Sequence, residues 1–370
     1  MKNCTITGLG WGDEAKGAWT HRFSKDFDYV IRTSGSSNCG HRIVRNGIVS
    51  VHHLIPSVDW RDPRPQAFLG CGMVINPDEL LSEIKSICVD YKYASNRIIV
   101  DPYAFIVDDG HIEEDKAKNK HIGTTNKGVG PAYLSKYSRS GKRLIDIMDS
   151  LVCKELQNIG VRFISSFEMI SKFKTSNCIF EGAQGVLLDL NFGTYPYVTS
   201  TDVTTSSCGS SGFNSLNMDK SYGVTKAYVT RVGEGPFPTE IFGDEAKSLQ
   251  TKGNEIGSTT GRPRRVGWLD LPALHYACEM GGITELIVTK LDILAGMKEI
   301  PVCVSYDKLI TGPKSFFDAK PNFEFIPGWK DTKDINHNSV KNYLRMIEDY
   351  TKRPVSYVSV GVNESDMIKL

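Results

Sequence analysis

Gly8-Leu9-Gly10-Trp11-Gly12-Asp13-Glu14-Ala15-Lys16-Gly17 stands between a short run, Cys4-Thr5-Ile6-Thr7, that reads as a strand, and a segment, Ala18 to Phe23, that can start a helix. Strand, glycine-rich turn and helix together aim backbone N–H groups and a helix N-terminus at phosphate. The P-loop spacing is not met. Counting from Gly10, Ala15 occupies the second-glycine position, Lys16 is in place, and Gly17 stands where the Mg²⁺-binding hydroxyl would be. Asp13 lies inside the loop, and a carboxylate beside phosphate is repulsive unless it binds a metal or takes a proton. Taken alone, the stretch is equally a phosphate cradle or a tight turn capped by Asp13.

Working outward, a second loop, Ser34-Gly35-Ser36-Ser37-Asn38-Cys39-Gly40-His41, follows the apolar run Tyr29-Val30-Ile31. The spacing predicts strands over 48–54, 66–69 and 98–100, and a helix over 77–87 capped by Asn76. Two helices are predicted within 144–170, a strand over 228–232, a helix over 268–280 and a strand over 285–289. Val340, Tyr343, Leu344 and Ile347 mark a C-terminal amphipathic helix, and 355–360 reads as the last strand. Strands alternating with helices predict an α/β fold around a mainly parallel central sheet, with loops gathered at the carboxyl ends of the strands. With no repeat or low-complexity linker, residues 1–370 are expected to form a single large domain, with a peripheral excursion around 306–334.

Composition narrows the partners. The chain has 370 residues, 40% hydrophobic and 24% charged, with a net charge of +1. That balance argues against nucleic acid or membrane as the main partner. No apolar run reaches transmembrane length, and no signal-peptide pattern is present. Nine cysteines without a C-x-x-C pair or zinc-type spacing suggest reduced thiols and a cytoplasmic setting.

Four further stretches carry chemistry. Residues 121–133, His-Ile-Gly-Thr-Thr-Asn-Lys-Gly-Val-Gly-Pro-Ala-Tyr, offer hydroxyls and backbone amides that suit a phosphate or a plain surface loop. Glu181-Gly182-Ala183-Gln184-Gly185 ends an apolar run, and the Gln184 amide can address a purine edge. Residues 257–265, Gly-Ser-Thr-Thr-Gly-Arg-Pro-Arg-Arg, place arginine forks among hydroxyls, a match for carboxylate or phosphate. Lys290-Leu291-Asp292 follows a strand, and a carboxylate there can accept from the two donors on guanine.

Together WGDEAKG, NCGH, His53-Leu54-Ile55-Pro56-Ser57, EGAQG and Tyr195-Pro196-Tyr197-Val198-Thr199-Ser200 resemble adenylosuccinate synthetase, through ordered motifs from Gly8 to Gly361. The family forms are WGDEGKG and NAGH, so Ala15 and Cys39 are departures. Asn126 and Lys127 (in place of Gly and Arg), Asp202, Val203, Glu234 and Pro263 depart as well. The resemblance implies a P-loop-like nucleotide-binding architecture and a ligase that joins L-aspartate to C6 of a 6-oxopurine nucleoside monophosphate, with GTP cleaved through a 6-phosphoryl intermediate. It implies Asp13 as general base, His41 and Lys16 on the transferring phosphoryl group, and Gln184 at the base. For the purine monophosphate it implies Asn38, Thr125, Arg139, Gln184, Thr199 and Arg262, with Arg139 reaching across a homodimer. For L-aspartate it implies Thr259, Thr260, Arg262 and Arg264. For GTP it implies Gly12, Glu14, Lys16, Gly17, Gly40, His41, Lys290, Asp292, Ser359 and Gly361. Mg²⁺ is expected on Asp13 and the Gly40 carbonyl.

IMP is the expected purine substrate. Retained Asp13 and Arg262 favour it, whereas compact length and the altered loops leave dGMP or GMP as the alternative. In that case the product is the precursor of 2-aminoadenine in phage DNA. Two other classes stay open: a nucleotide-binding regulator without catalysis, and a P-loop-type GTPase switch, against which the broken P-loop spacing speaks.

Overall fold

The computed structural model describes residues 2–45, 47–118, 124–214, 216–257, 261, 263–331 and 333–370. Its centre is a ten-stranded sheet. From one edge the strands run Met367–Lys369, Val355–Ser359, Glu285–Thr289, Lys220–Lys226, Asn3–Gly8, Cys178–Gly185, Tyr29–Arg32, Gln66–Leu69, Ile98–Val100 and Arg162–Phe163. Every pair is parallel except the first, which is antiparallel. A parallel sheet needs both faces covered, and its central strands are buried almost throughout. Successive residues nonetheless enter different clusters: Ala67 and Leu69 join one apolar core, and Phe68 between them joins another. Leu286 and Val288 likewise face one way and Ile287 the other. This is the period of two that a strand imposes.

Helices cover the faces for local reasons. Lys16–Ser24 packs Trp19 into the core beside Ile6 and Val30. Pro77–Asp90 starts with Pro at its head and with the Asn76 side chain accepting from Asp78 N–H and Glu79 N–H at 3.0 and 3.1 Å. Both devices satisfy a helix start. Asn338–Thr351 buries Val340, Tyr343, Leu344 and Ile347, the stripe its spacing announces.

The structure adds features that periodicity did not give, the central strand Lys220–Lys226 among them. Residues 144–170 hold a 3₁₀ turn (Leu144–Ile147) and the helices Leu151–Asn158 and Ser166–Phe173. Between these helices the two-residue edge strand Arg162–Phe163 joins the sheet. A strand that short has no readable period. The segment 306–334 supplies Pro321–Pro327, which pairs antiparallel with Glu299–Tyr306, and it buries Phe316 and Trp329. The last strand is Met367–Lys369 rather than 355–360. The predicted gathering of loops is met: residues just past the carboxyl ends of the central strands line one cavity of about 1130 Å³.

Candidate active site

The first loop is braced from inside. Gly12, Asp13 and Ala15 take left-handed backbone angles, with φ of 91°, 63° and 77°. The Glu14 carboxylate turns back to accept from Gly10 N–H at 3.0 Å and Gly12 N–H at 2.8 Å, and it pairs with Lys16 Nζ at 2.6 Å. Glu14 therefore turns into the loop and is not among the cavity residues, whereas Gly12, Asp13, Lys16 and Gly17 are. Gly17 allows a close approach: a Cβ there would stand 2.5 Å from His41 Cβ.

That approach brings the second loop onto the N-terminus of the first helix. His41 is buried, and its Nδ1 meets Glu181 Oε1 at 2.8 Å. Glu181 also accepts from Ser57 N–H at 3.0 Å. Burial pushes Glu181 up, but the His41 contact, the Arg32 charge and the Ser57 N–H outweigh it and hold the pKa at about 2. An ionised Glu181 makes Nδ1–H the donor and leaves Nε2 for a ligand in the cavity that His41 and Gly40 line. Burial pushes His41 below its ordinary value, while Glu181 pulls it back up.

Gln184 sits at φ 51° at the end of its strand, its Nε2 donating to Cys39 Sγ at 3.1 Å. Gln184 Oε1 and Asn38 Oδ1 are buried without a hydrogen-bond partner, which fits polar groups aimed at a ligand. Both residues, with Thr125 and Thr199, line the cavity. Arg139 does not; it is exposed just after the helix Val129–Tyr137.

Against the first loop, Arg264 Nε donates to Asp13 Oδ2 at 2.6 Å, and its Nη1 donates to Glu255 Oε2 at 2.6 Å. Lys290 Nζ reaches Glu255 Oε1 at 2.6 Å, and Lys290 N–H donates to Ser359 Oγ at 3.2 Å. Arg264, Lys290, Ser359 and Gly361 line the cavity. Asp292, two residues beyond Lys290, is not among the cavity residues. Its Oδ1 is buried and unpartnered, and burial pushes its pKa up. Thr259, Thr260 and Arg262 lie outside the described residues.

Among the described residues, no group of three His, Cys, Asp or Glu could hold a metal. Asp13 and Gly40 share the cavity, and Arg264 occupies only Oδ2 of Asp13. One carboxylate and one carbonyl completed by phosphate oxygens is a set that Mg²⁺ accepts.

Two of the altered positions separate. Asp202 accepts from Thr204 N–H at 2.8 Å and Ser206 Oγ at 2.8 Å, which closes its own turn, and it does not line the cavity. Glu234 does line it. Sequence reasoning missed Glu181, Glu255 and Arg231 as functional residues. Arg231 is buried, and its guanidinium donates to the carbonyls of Glu234 and Pro236 at 2.9 Å each and to Tyr197 O at 3.3 Å. It thereby ties two cavity loops together. A charged residue in or at the end of a predicted strand was the available signal for Glu181 and Arg231; nothing local marks Glu255.

The family model of adenylosuccinate synthetase matches residues 5–171 and 157–368. The adenylosuccinate synthetase of Petrotoga mobilis is 40% identical, covering 99% of this chain and 97% of that relative. That of Thermosipho africanus is 39% identical, covering 99% of each. The solved, fully ligated adenylosuccinate synthetase from Plasmodium falciparum superposes with a TM-score of 0.88 at 33% identity, covering 99% of each chain. A cyanophage S-2L succinoaminodeoxyadenylate synthetase bound to dGMP and dATP gives 0.74 at 22% identity over 100% of this chain and 95% of that one, a likeness of fold alone. With family model, full-length relatives and fold in agreement, this chain belongs to the adenylosuccinate synthetase family.

Proposed function

We propose that this protein is a GTP-dependent ligase joining L-aspartate to C6 of IMP. The observation that carries it is the convergence of Asp13, His41 and Arg264 on one cavity, with Arg264 already on Asp13. A base, a phosphoryl clamp and a carboxylate-binding cation are the three parts the reaction needs.

Asp13 takes the N1 proton of the 6-oxopurine, and the electron pair moves onto O6. O6 attacks the γ-phosphorus of GTP, the bond to the β–γ bridging oxygen breaks, and GDP leaves. His41 Nε2 and Lys16 face the charge that spreads over the transferring phosphoryl oxygens. Burial keeps His41 below its ordinary value, with the proton on Nδ1 facing Glu181; the charge of a bound phosphate at Nε2 adds to the pull of Glu181 toward the doubly protonated ring. The aspartate amine then displaces phosphate from C6, with Arg264 on a substrate carboxylate. Asn38, Thr125, Thr199 and Gln184 are the proposed contacts of the purine monophosphate. Gly12, Gly17, Gly40, Lys290, Asp292, Ser359 and Gly361 are those of GTP; the side chain of Glu14 serves as a loop brace. Mg²⁺ held by Asp13 and Gly40 would neutralise phosphate charge.

Full-length relatives at 35–40% identity support IMP. The engagement of Asp202 with its own turn also removes one of the two acceptors available to a purine 2-amino group. Glu234, in the cavity wall, supports the second reading, dGMP or GMP. Turnover with IMP, GMP and dGMP side by side, with GTP, Mg²⁺ and L-aspartate fixed, decides between them. Preference for dGMP overturns the substrate, and absence of aspartate-dependent GTP cleavage overturns the function.

The proposed assembly is a homodimer, because the exposed Arg139 lies outside its own cavity lining and Tyr137 is exposed on the preceding helix. All nine cysteines are unpaired, and among the described residues no helix is long and apolar enough to cross a membrane. The unpaired cysteines support the proposed cytoplasmic setting.

A further inference from the structure

Glu255 is fully buried and is not among the residues lining the cavity, yet five hydrogen bonds converge on its carboxylate. Oε2 takes Arg264 Nη1 at 2.6 Å and Lys226 Nζ at 3.0 Å. Oε1 takes Lys290 Nζ at 2.6 Å, Lys226 Nζ at 3.2 Å and the Tyr228 hydroxyl. Arg264 N–H also donates to Glu255 O at 2.9 Å, so the two residues are held by backbone as well as side chain.

We propose that Glu255 is a positioning residue that sets the aspartate-side arginine and the guanine-side lysine from one buried carboxylate. The inference rests on the function proposed above. Two of the three cations on Glu255, Arg264 and Lys290, line the cavity, and the third, Lys226, does not. If Glu255 served only to neutralise buried Lys226, it would not reach two groups that face ligand space, and Lys226 already has Thr230 Oγ1 at 2.7 Å. The geometry of each cation is doubly fixed. Arg264 is held at Nη1 by Glu255 and at Nε by Asp13, which sets the plane of the guanidinium and turns Nη2 toward other partners. Lys290 is held at Nζ by Glu255 and by Gly253 O at 2.5 Å.

Lys226, Lys290 and Arg264 face the carboxylates of Glu255 and Asp13, with Asp292 acting on Lys290 as well. Burial pushes Glu255 up, but Lys226, Lys290 and Arg264 outweigh it and hold the carboxyl well below its usual range. Glu255 thus stays ionised and keeps both cavity cations in place before either substrate arrives, so less ordering cost falls on binding.

The test is steady-state kinetics of Glu255→Gln, which keeps the shape and removes the charge. KM for L-aspartate and KM for GTP are expected to rise together, each by about tenfold or more, since each cation loses a charge-assisted bond. KM for the purine monophosphate is expected to move less than about twofold. Glu255→Asp keeps the charge one methylene short and is expected to raise the same two constants by less. Unchanged constants in a folded variant overturn the proposal. So does a rise in only one, or an equal rise in all three, which marks a merely structural role. If Glu255→Gln does not fold, the Asp variant carries the same comparison. Calorimetric titration with GTP alone needs no turnover. Equal GTP affinity in the unmodified protein and the folded variant overturns the proposal even where the unmodified protein has shown the catalytic assignment to be wrong.

Discussion

Two buried glutamates, each behind residues that line the cavity, hold their partners in different ways. Glu181 has a closed set of partners: one imidazole nitrogen, one backbone N–H and the nearby Arg32 charge. Glu255 gathers three cations, two of which face the cavity and share their charge with it. The first arrangement fixes a proton position and is complete without a ligand. The second aims two cations at the cavity. A buried carboxylate can therefore serve catalysis either by settling a tautomer or by aiming cations, and the number of cations it carries tells the two apart.

The largest expected effect is on the Glu255 side, at Asp13. Asp13→Asn cannot take the N1 proton, and turnover should fall at least about a hundredfold with the fold retained. Near-normal activity of the purified variant would contradict the assignment. On the Glu181 side, Glu181→Gln should lower kcat roughly 10–100-fold by freeing the ring of His41. His41→Asn should lower it at least as far. Both should leave purine nucleotide affinity largely intact, and a loss of affinity at unchanged maximal rate would remove His41 from the phosphoryl step.

The Glu181 side should also show itself in acid, as the Glu255 side should, since both carboxyls are held below their ordinary value. Glu181 has its pKa depressed from 4.5 to about 2, so the folded state binds fewer protons than the unfolded chain between those values. Its stabilising contribution is fully present above about pH 4.5 and is lost as pH falls through about 2. Acid unfolding of the wild type should show this component, and Glu181→Gln should lack it.

A smaller change is expected at Asp292, beyond the Lys290 end of the Glu255 cluster. Its unpartnered Oδ1 fits the donors of guanine, whereas adenine presents an acceptor at N1. Asp292→Asn should narrow the preference for GTP over ATP, and equal use of ATP by the unmodified protein would refute the pairing. The smallest effect is at Ala15, a β-carbon held at φ 77° where glycine is the family residue. Ala15→Gly relieves that strain but loosens the unfolded chain. It should raise stability by at most about 1 kcal/mol, as read from denaturant midpoints.

Much of the fold was legible because its signals are local. The helix Pro77–Asp90 announces its cap and stripe, and Glu285–Thr289 is a plain apolar run. The edge strands Arg162–Phe163 and Met367–Lys369 were not legible, because two or three residues carry no period and their pairing comes from the sheet beside them. The site divides in the same way. Asp13, Lys16, His41, Gln184 and Lys290 stand in short motifs whose residue types state their chemistry. Glu14 sits in the same motif, yet its side chain turns inward, because two loop N–H groups and Lys16 need an acceptor.

The order of residues alone was enough for the α/β class, the family resemblance and the positions where chemistry resides, since each depends on neighbours within a few residues. Only the folded chain decided that Asp13 shares Arg264 with Glu255, 251 and 9 residues away from that arginine. Only it decided that Glu181 stands behind His41 across 140 residues. Such pairs depend on the parallel sheet, which places the ends of distant strands side by side, and no local pattern records which ends will meet.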